Sequence, residues 1–100
     1  MSMRPQKNRI LSILKEHTPI LFEKYGITRI GIFGSVARDD ASIESDVDIV
    51  YEMRRPNLFT VVHLQKELEN ILQCSVDLVR YRKRMNPLLK KRIEKDSIYV

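Results

Sequence analysis

Cysteines and long apolar runs are the features that this sequence has least of. Cys74 is the only cysteine, so an intrachain disulfide and a cysteine-based zinc cluster are both excluded. No apolar run approaches the roughly 20 residues that a membrane-spanning helix needs, and the charged N-terminal stretch lacks the apolar core of a secretory signal. We therefore expect a cytoplasmic protein with no membrane segment.

The composition that is present is that of one small globular domain. The chain has 100 residues, of which 43% are hydrophobic and 31% are charged, which predicts a single folded domain over residues 1–100. Its net charge of +5 comes entirely from residues 51–100, because Lys/Arg and Asp/Glu cancel in the first half. A basic half can attract phosphate, nucleic acid or an acidic protein, and the sign alone does not choose among them.

The hydrophobic pattern predicts alternating helices and strands. Helices are expected over 8–25, 59–72 and 87–95, and strands over 27–33, 46–52 and 75–81, with a short turn or helix at residue 34 and a short final strand at 97–100. Pro19 interrupts the first helix, which either kinks there or restarts with Thr18 as its cap. We expect an α+β fold of order α-β-β-α-β-α, with helices packed on a small mixed sheet.

A glycine–serine pair and two aspartates form the most informative motif. Gly34 ends a predicted strand and has no side chain, so the backbone can approach a ligand closely. Ser35 stands where a helix would begin, and offers a hydroxyl and amide N–H groups to a phosphate. Asp46 and Asp48 project from one face of a strand. Two adjacent carboxylates repel each other unless a cation lies between them, and hard oxygen ligands suit Mg²⁺ that carries a nucleotide phosphate.

A third carboxylate, Asp77, lies in the middle of an otherwise apolar strand. A charge there is costly unless it is paired or bound to a metal. If this strand lies beside the Asp46–Asp48 strand, three carboxylates converge. One metal ion could then hold a triphosphate while a second lowers the pKa of an attacking hydroxyl, with Asp77 as the ligand or base nearest that hydroxyl.

The spacing of this motif resembles that of a known family. Ten residues separate Ser35 from Asp46, and the chain in this respect is similar to the polymerase β-like nucleotidyltransferases, whose motif is Gly-Ser, ten residues, then Asp-x-Asp. The strand that leads into Gly34 and the segment around Asp77 extend the resemblance to stand-alone minimal nucleotidyltransferases, over roughly residues 8–100. The resemblance implies transfer of AMP from ATP to a hydroxyl, with Gly34 and Ser35 on the triphosphate and the three aspartates as metal ligands and catalytic groups.

The resemblance also implies a partner protein. Chains of this size are similar to antitoxins encoded beside HEPN-domain toxins, which are thought to adenylylate a tyrosine on the partner ribonuclease. We therefore expect a HEPN-domain toxin as partner, Mg²⁺ (two ions) as cofactor and ATP as substrate. Two alternatives stay open: an antitoxin that neutralises its toxin by binding alone, and a subunit that adenylylates RNA or a small molecule.

The residues after the glycine–serine pair keep the question of turnover open. Arg38 either contacts a phosphate or covers the surface, and we include it among the nucleotide-binding candidates. Relatives commonly have glycine where this chain has Asp39. A glycine there serves a left-handed turn, which Asp tolerates better than most residues, but Asp39 and Asp40 add negative charge beside a triphosphate site.

Two basic clusters follow Asp77 along the chain. They are either solvated faces or a docking surface for an acidic partner or RNA, with Tyr81 as the single interleaved aromatic residue. Their members are Arg80, Arg82, Lys83, Arg84, Lys90, Lys91 and Arg92.

Overall fold

The fold alternates helices with strands in the predicted order, and it includes the short helix at residue 34 and the short final strand. The computed structural model describes residues 6–42 and 44–100, so the first five residues of the predicted domain and residue 43 of its polar loop lie outside the described residues. The elements are α1 (Lys7–Tyr25), β1 (Ile27–Phe33), α2 (Gly34–Ala37), β2 (Val47–Met53), α3 (Leu58–Leu72), β3 (Val76–Arg80), α4 (Pro87–Asp96) and β4 (Ile98–Tyr99).

The four strands form one mixed sheet in the order β3-β2-β1-β4. The β1 strand is antiparallel to β2 and to β4, whereas β2 and β3 are parallel. The connection between the antiparallel strands β1 and β2 consists of α2 and the loop after it, and α3 makes the crossover that a parallel pair requires. The predicted α+β class and mixed sheet are confirmed.

The first helix runs through Pro19 as one continuous element, so the alternative of a restart with Thr18 as its cap is wrong. The Thr18 hydroxyl instead donates to the carbonyl of Leu14 at 2.6 Å, one turn back within the same helix. Pro19 is exposed, so the carbonyl that it leaves without an amide partner can bond to water. Burial of Leu14 and Leu21 on either side favours the continuous helix.

The later helices begin at asparagine caps. Asn57 accepts hydrogen bonds from the amides of Phe59 and Thr60 at the start of α3, and Asn86 does the same before Pro87 in α4. Asparagine satisfies amides that have no partner within the helix. Across residues 6–42 and 44–100, no helix is long and apolar enough to cross a membrane.

Helices cover both faces of the sheet, but not equally. Neighbouring residues on a strand point to opposite faces. Ile49 belongs to the main core, which α1 and α3 cover, while Val50 packs with Phe33 and with Ile93 of α4 in a second, smaller cluster. Asp48 shares the face of Val50 and therefore lies on the side that only α4 covers.

Candidate active site

A left-handed glycine connects β1 to the short helix α2. Gly34 has φ 72°, which costs a residue with a side chain about 1–2 kcal/mol. A Cβ placed on Gly34 would also collide with Oδ2 of Asp48 and would lie 3.1 Å from its Cγ. The close approach expected of this backbone is therefore made to the Asp48 carboxylate, and its approach to a ligand stays a prediction.

Ser35 stands in the first turn of α2, as its sequence position indicated. Its side chain is half-buried, and its carbonyl accepts the amide of Asp40 at 3.0 Å, while the carbonyl of Gly34 accepts the amide of Arg38. These bonds fold residues 34–40 into a compact loop. The first amides of a helix have no partner within the helix, so this loop can offer N–H groups to phosphate oxygens.

The strand register brings two of the aspartates together. Asp48 pairs with Phe33 at the end of β1 and with Asp77 of β3 on its other side. The third strand thus lies beside the second, which was the condition for Asp77 to join the site. Since parallel partners in register point to the same face, both carboxylates lie on the α4 side, next to the loop at Gly34.

Negative charge is concentrated around Asp48. Burial of its carboxyl raises the pKa of Asp48, and the Asp77 and Asp46 carboxylates raise it further, against the lowering effect of Arg92 and Arg38. Asp46 itself is exposed and precedes the first residue of β2. Because like charges disfavour ionisation of their neighbour, a cation at this point would relieve a repulsion that the fold maintains.

The three carboxylates are nevertheless not gathered around one point. Among the described residues, no group of three or more His, Cys, Asp or Glu side chains could hold a metal ion as it stands. Carboxylate oxygens are the donors that Mg²⁺ prefers, so the chemistry and register of Asp48 and Asp77 fit such an ion. Their positions, and that of Asp46, do not yet enclose one, and the metal-ligand assignment stays a prediction.

Arg38 is engaged with two carboxylates. Its Nε donates to Oδ2 of Asp40 at 3.2 Å and its Nη1 to Oδ2 of Asp96 at 2.9 Å, which ties the loop at α2 to the end of α4. The sequence left open whether Arg38 contacts a phosphate or covers the surface, and the exposed ion pairs are compatible with the second alternative. A role for Arg38 on the nucleotide stays a prediction.

Asp39 adopts the left-handed turn that was expected where relatives have glycine. Its φ is 63° and its side chain is exposed, so the aspartate keeps the backbone shape of the loop.

Sequence reasoning did not identify Arg92 or Asp96 as neighbours of the site. Arg92 lies in a run of charged residues that is typical of a solvated helix face. Asp96 is 58 residues away from its partner Arg38 along the chain, so no local pattern indicates that ion pair.

Comparison with known proteins supplies the family. The sequence profile of the polymerase β nucleotidyltransferases matches residues 8–100. The chain belongs to this family. A protein of Methanocaldococcus jannaschii that carries the provisional name protein adenylyltransferase is 39% identical over 94 residues, which cover 93% of this chain and 96% of the relative. The protein adenylyltransferase MntA of Thermococcus cleftensis is 36% identical over 92 residues, covering 91% and 92%.

Solved structures show the same fold. A protein described provisionally as a minimal nucleotidyltransferase has a TM-score of 0.73 and 30% identity, over 88% of this chain and 90% of that one. A complex of a tri-AMPylated HEPN toxin from Shewanella oneidensis with MNT antitoxin has a chain that matches with a TM-score of 0.57 and 21% identity, over 93% and 67%. This second likeness concerns the fold alone. The chain is thus a member of the nucleotidyltransferases with their mixed-sheet fold.

Proposed function

We propose that this chain is a protein adenylyltransferase that moves AMP from ATP to a hydroxyl of a partner protein. The oxygen of that hydroxyl attacks the α-phosphorus, the bond to the β-phosphate oxygen breaks, and pyrophosphate leaves. The observation that carries this proposal is the register of Asp48 with Asp77 beside the left-handed turn at Gly34. That arrangement puts paired carboxylates next to a loop whose amides can hold a triphosphate.

Each residue of the site has a proposed task. The backbone at Gly34 and Ser35 holds the triphosphate, and Asp77 accepts the proton of the attacking hydroxyl. Two Mg²⁺ ions held by Asp46, Asp48 and Asp77 would neutralise phosphate charge and lower the pKa of the attacking hydroxyl. Arg38 contributes positive charge beside Asp48, and can donate to a phosphate from Nη2 while Nε and Nη1 keep their carboxylate partners.

We further propose that the acceptor is a tyrosine of a HEPN-domain toxin, and that the chain acts as its antitoxin. A relative named MntA that covers 91% of this chain supports the reaction class, and the structural neighbour described as bound to a tri-AMPylated HEPN toxin supports the partner. A single cysteine is consistent with the reducing cytoplasm as the place of this reaction.

Transfer of label from α-labelled ATP to a purified candidate toxin tests the proposal. Wild-type protein with Mg²⁺ should label the toxin, and Asp48→Asn should reduce the rate at least about 100-fold. Lys15→Gln, an exposed change on α1, is the control and should not alter the rate. Equal labelling by wild type and Asp48→Asn would show that the catalytic assignment is wrong. Label on RNA or on a small molecule, and not on protein, would show a different acceptor.

A second candidate is an antitoxin that neutralises its toxin by binding alone. One observation favours it: Arg38 is paired with Asp40 and Asp96. Under this hypothesis Asp46→Asn and Asp48→Asn neutralise the toxin fully at one-to-one stoichiometry. Loss of neutralisation by these variants, with circular dichroism spectra like that of wild type, would exclude it.

A further inference from the structure

Positive charge is concentrated in one segment of the chain. Residues 80–95 contain eight of the 18 Lys/Arg residues and one of the 13 Asp/Glu residues, Glu94. Since the net charge of the whole chain is only +5, the remainder of the protein is negative overall. We call this end of β3, the loop after it and the body of α4 the 80–95 surface.

The 80–95 surface borders the active site. On α4, Leu89 and Ile93 face the second core cluster, whereas Leu88, Lys91, Arg92 and Lys95 are exposed at the spacing of one helix face. The helix covers the same side of the sheet as Asp48, and the Arg92 guanidinium is close enough to that carboxyl to lower its pKa. A macromolecule that reaches Asp48 from the α4 side must therefore pass over these cations.

The aromatic residue within this segment, Tyr81, is half-buried and packs against the second core cluster, which limits the ring surface that a base could stack on. The Tyr81 hydroxyl donates to Oε1 of Glu94 at 3.1 Å, and Lys90 Nζ lies 5.9 Å from the centre of the ring. Binding of single-stranded nucleic acid depends on aromatic rings that bases can stack on. The surface offers instead a large apolar side chain, Leu88, which is 75% exposed. Cations around an apolar anchor suit a protein surface better than RNA.

We propose that the 80–95 surface docks an acidic surface of the protein whose hydroxyl receives AMP. This inference rests on the proposed function for the identity of the docked protein, which is the AMP acceptor. The docking itself rests on charge complementarity. Opposite charge raises the encounter rate of two proteins and fixes their orientation. Docking along α4 would hold the acceptor beside Asp77 while leaving the loop at Gly34 free for the nucleotide.

A pair of matched charge reversals tests the docking surface by binding alone. The first variant is Arg82→Glu/Lys83→Glu/Arg84→Glu, in the exposed loop before α4. The control is Lys15→Glu/Arg55→Glu/Lys66→Glu, which changes the net charge equally at exposed positions outside that segment. The probes are a fluorescent glutamate–tyrosine copolymer and a single-stranded RNA of equal charge, and anisotropy is measured without ATP in about 50 mM salt.

We expect the loop variant to weaken copolymer binding at least about tenfold, and the control variant to stay within about threefold of wild type, because complementarity depends on where the charges lie. Equal weakening by both variants would overturn the proposal, since net charge alone would then explain binding. RNA that binds at least tenfold more tightly than the copolymer, and that loses this affinity in the loop variant, would reassign the surface to nucleic acid.

A transfer assay separates this inference from the proposed function. The copolymer carries tyrosines, so label from α-labelled ATP can be followed on it directly. If wild type labels neither the copolymer nor the candidate toxin but the anisotropy pattern holds, the docking surface stands and the proposed function fails. If wild type labels the copolymer and the loop variant does so with the same KM for the copolymer, the docking surface is wrong and the proposed function stands.

Discussion

Substitution of Gly34 by alanine should reduce activity far more than its effect on stability would explain. Gly34 has φ 72°, and a Cβ there would meet the carboxylate of Asp48. Gly26 is a matched control, because it has φ 68° and nothing within 4 Å of the position that its Cβ would take. Gly34→Ala and Gly26→Ala therefore share the backbone strain, and only the first displaces a site carboxylate.

The expected magnitudes follow from these two differences. An L-residue in the left-handed region costs about 1–2 kcal/mol, and in a domain of this size each kcal/mol lowers Tm by about 4–8 °C. Both variants should therefore melt about 4–16 °C below wild type. The Asp48 side chain is free to rotate away from the new methyl group, so the collision adds little to stability. A displacement of about 1 Å at a catalytic group can reduce the rate about 100-fold.

The assay combines thermal unfolding with label transfer at a temperature where both variants are folded. Gly34→Ala should lose transfer by about 100-fold, while Gly26→Ala keeps the wild-type rate. Equal rates for the two variants would refute the role of Gly34 in making room for Asp48. A melting temperature for Gly26→Ala equal to that of wild type would refute the strain argument.

Three further changes test other parts of the structure. Asp48→Asn should leave Tm unchanged or raise it in metal-free buffer. Burial and the Asp77 carboxylate raise the pKa of Asp48, so the folded state disfavours the charged form that the substitution removes. A clear fall in Tm contradicts this. Hydrogen bonds from Lys24 and Tyr25 lower the pKa of Glu67, so its contribution to stability is present above its ordinary pKa of 4.5 and is lost as the pH falls through the lowered value. The stability difference between wild type and Glu67→Gln, from urea unfolding, should be largest near neutral pH and shrink in acid; a constant difference refutes it. Asn57→Ala should cost about 1 kcal/mol in the same assay by removing the α3 cap, and no loss would show that the cap is dispensable.

The parts of the site that depend on local geometry could be predicted from the sequence. Alternation along β2 puts Asp48 on the face opposite the buried Val47 and Ile49, as predicted, whereas Asp46 precedes the strand and its place on that face stays a prediction. The left-handed turn at Asp39 was likewise predictable, and its φ of 63° confirms it. The parallel neighbour of β2 was expected from the helical crossover, and its register then fixes Asp77 opposite Asp48.

Features that depend on distant parts of the chain could not be predicted. The final strand pairs with Gly31 and Ile32, and Gly31 permits this because a Cβ there would meet the backbone of Ile98 and Tyr99. No periodicity in the sequence indicates that contact. The absence of a helix restart at Thr18 has a related cause, since the continuity of α1 is decided by packing against α3 and the sheet rather than by the local effect of Pro19.

Arg38 shows how a partner that is distant in the sequence alters the role expected of a residue in a motif. Beside a glycine–serine pair, an arginine suggests a phosphate ligand, although Asp40, two residues on, is a local anion that also pairs with it. In the structure, Asp96 provides a second anion at 2.9 Å, from a side chain that is only 10% exposed. A carboxylate shielded from water competes better for a guanidinium than a solvated one does. Because the two carboxylates engage only Nε and Nη1, an incoming triphosphate can use the Nη2 donors, displace a carboxylate or act on Arg38 through space. The Arg38 charge already lowers the pKa of Asp48 without leaving its partners. Arg38 can thus favour the ionised form of Asp48 while it holds α2 against α4.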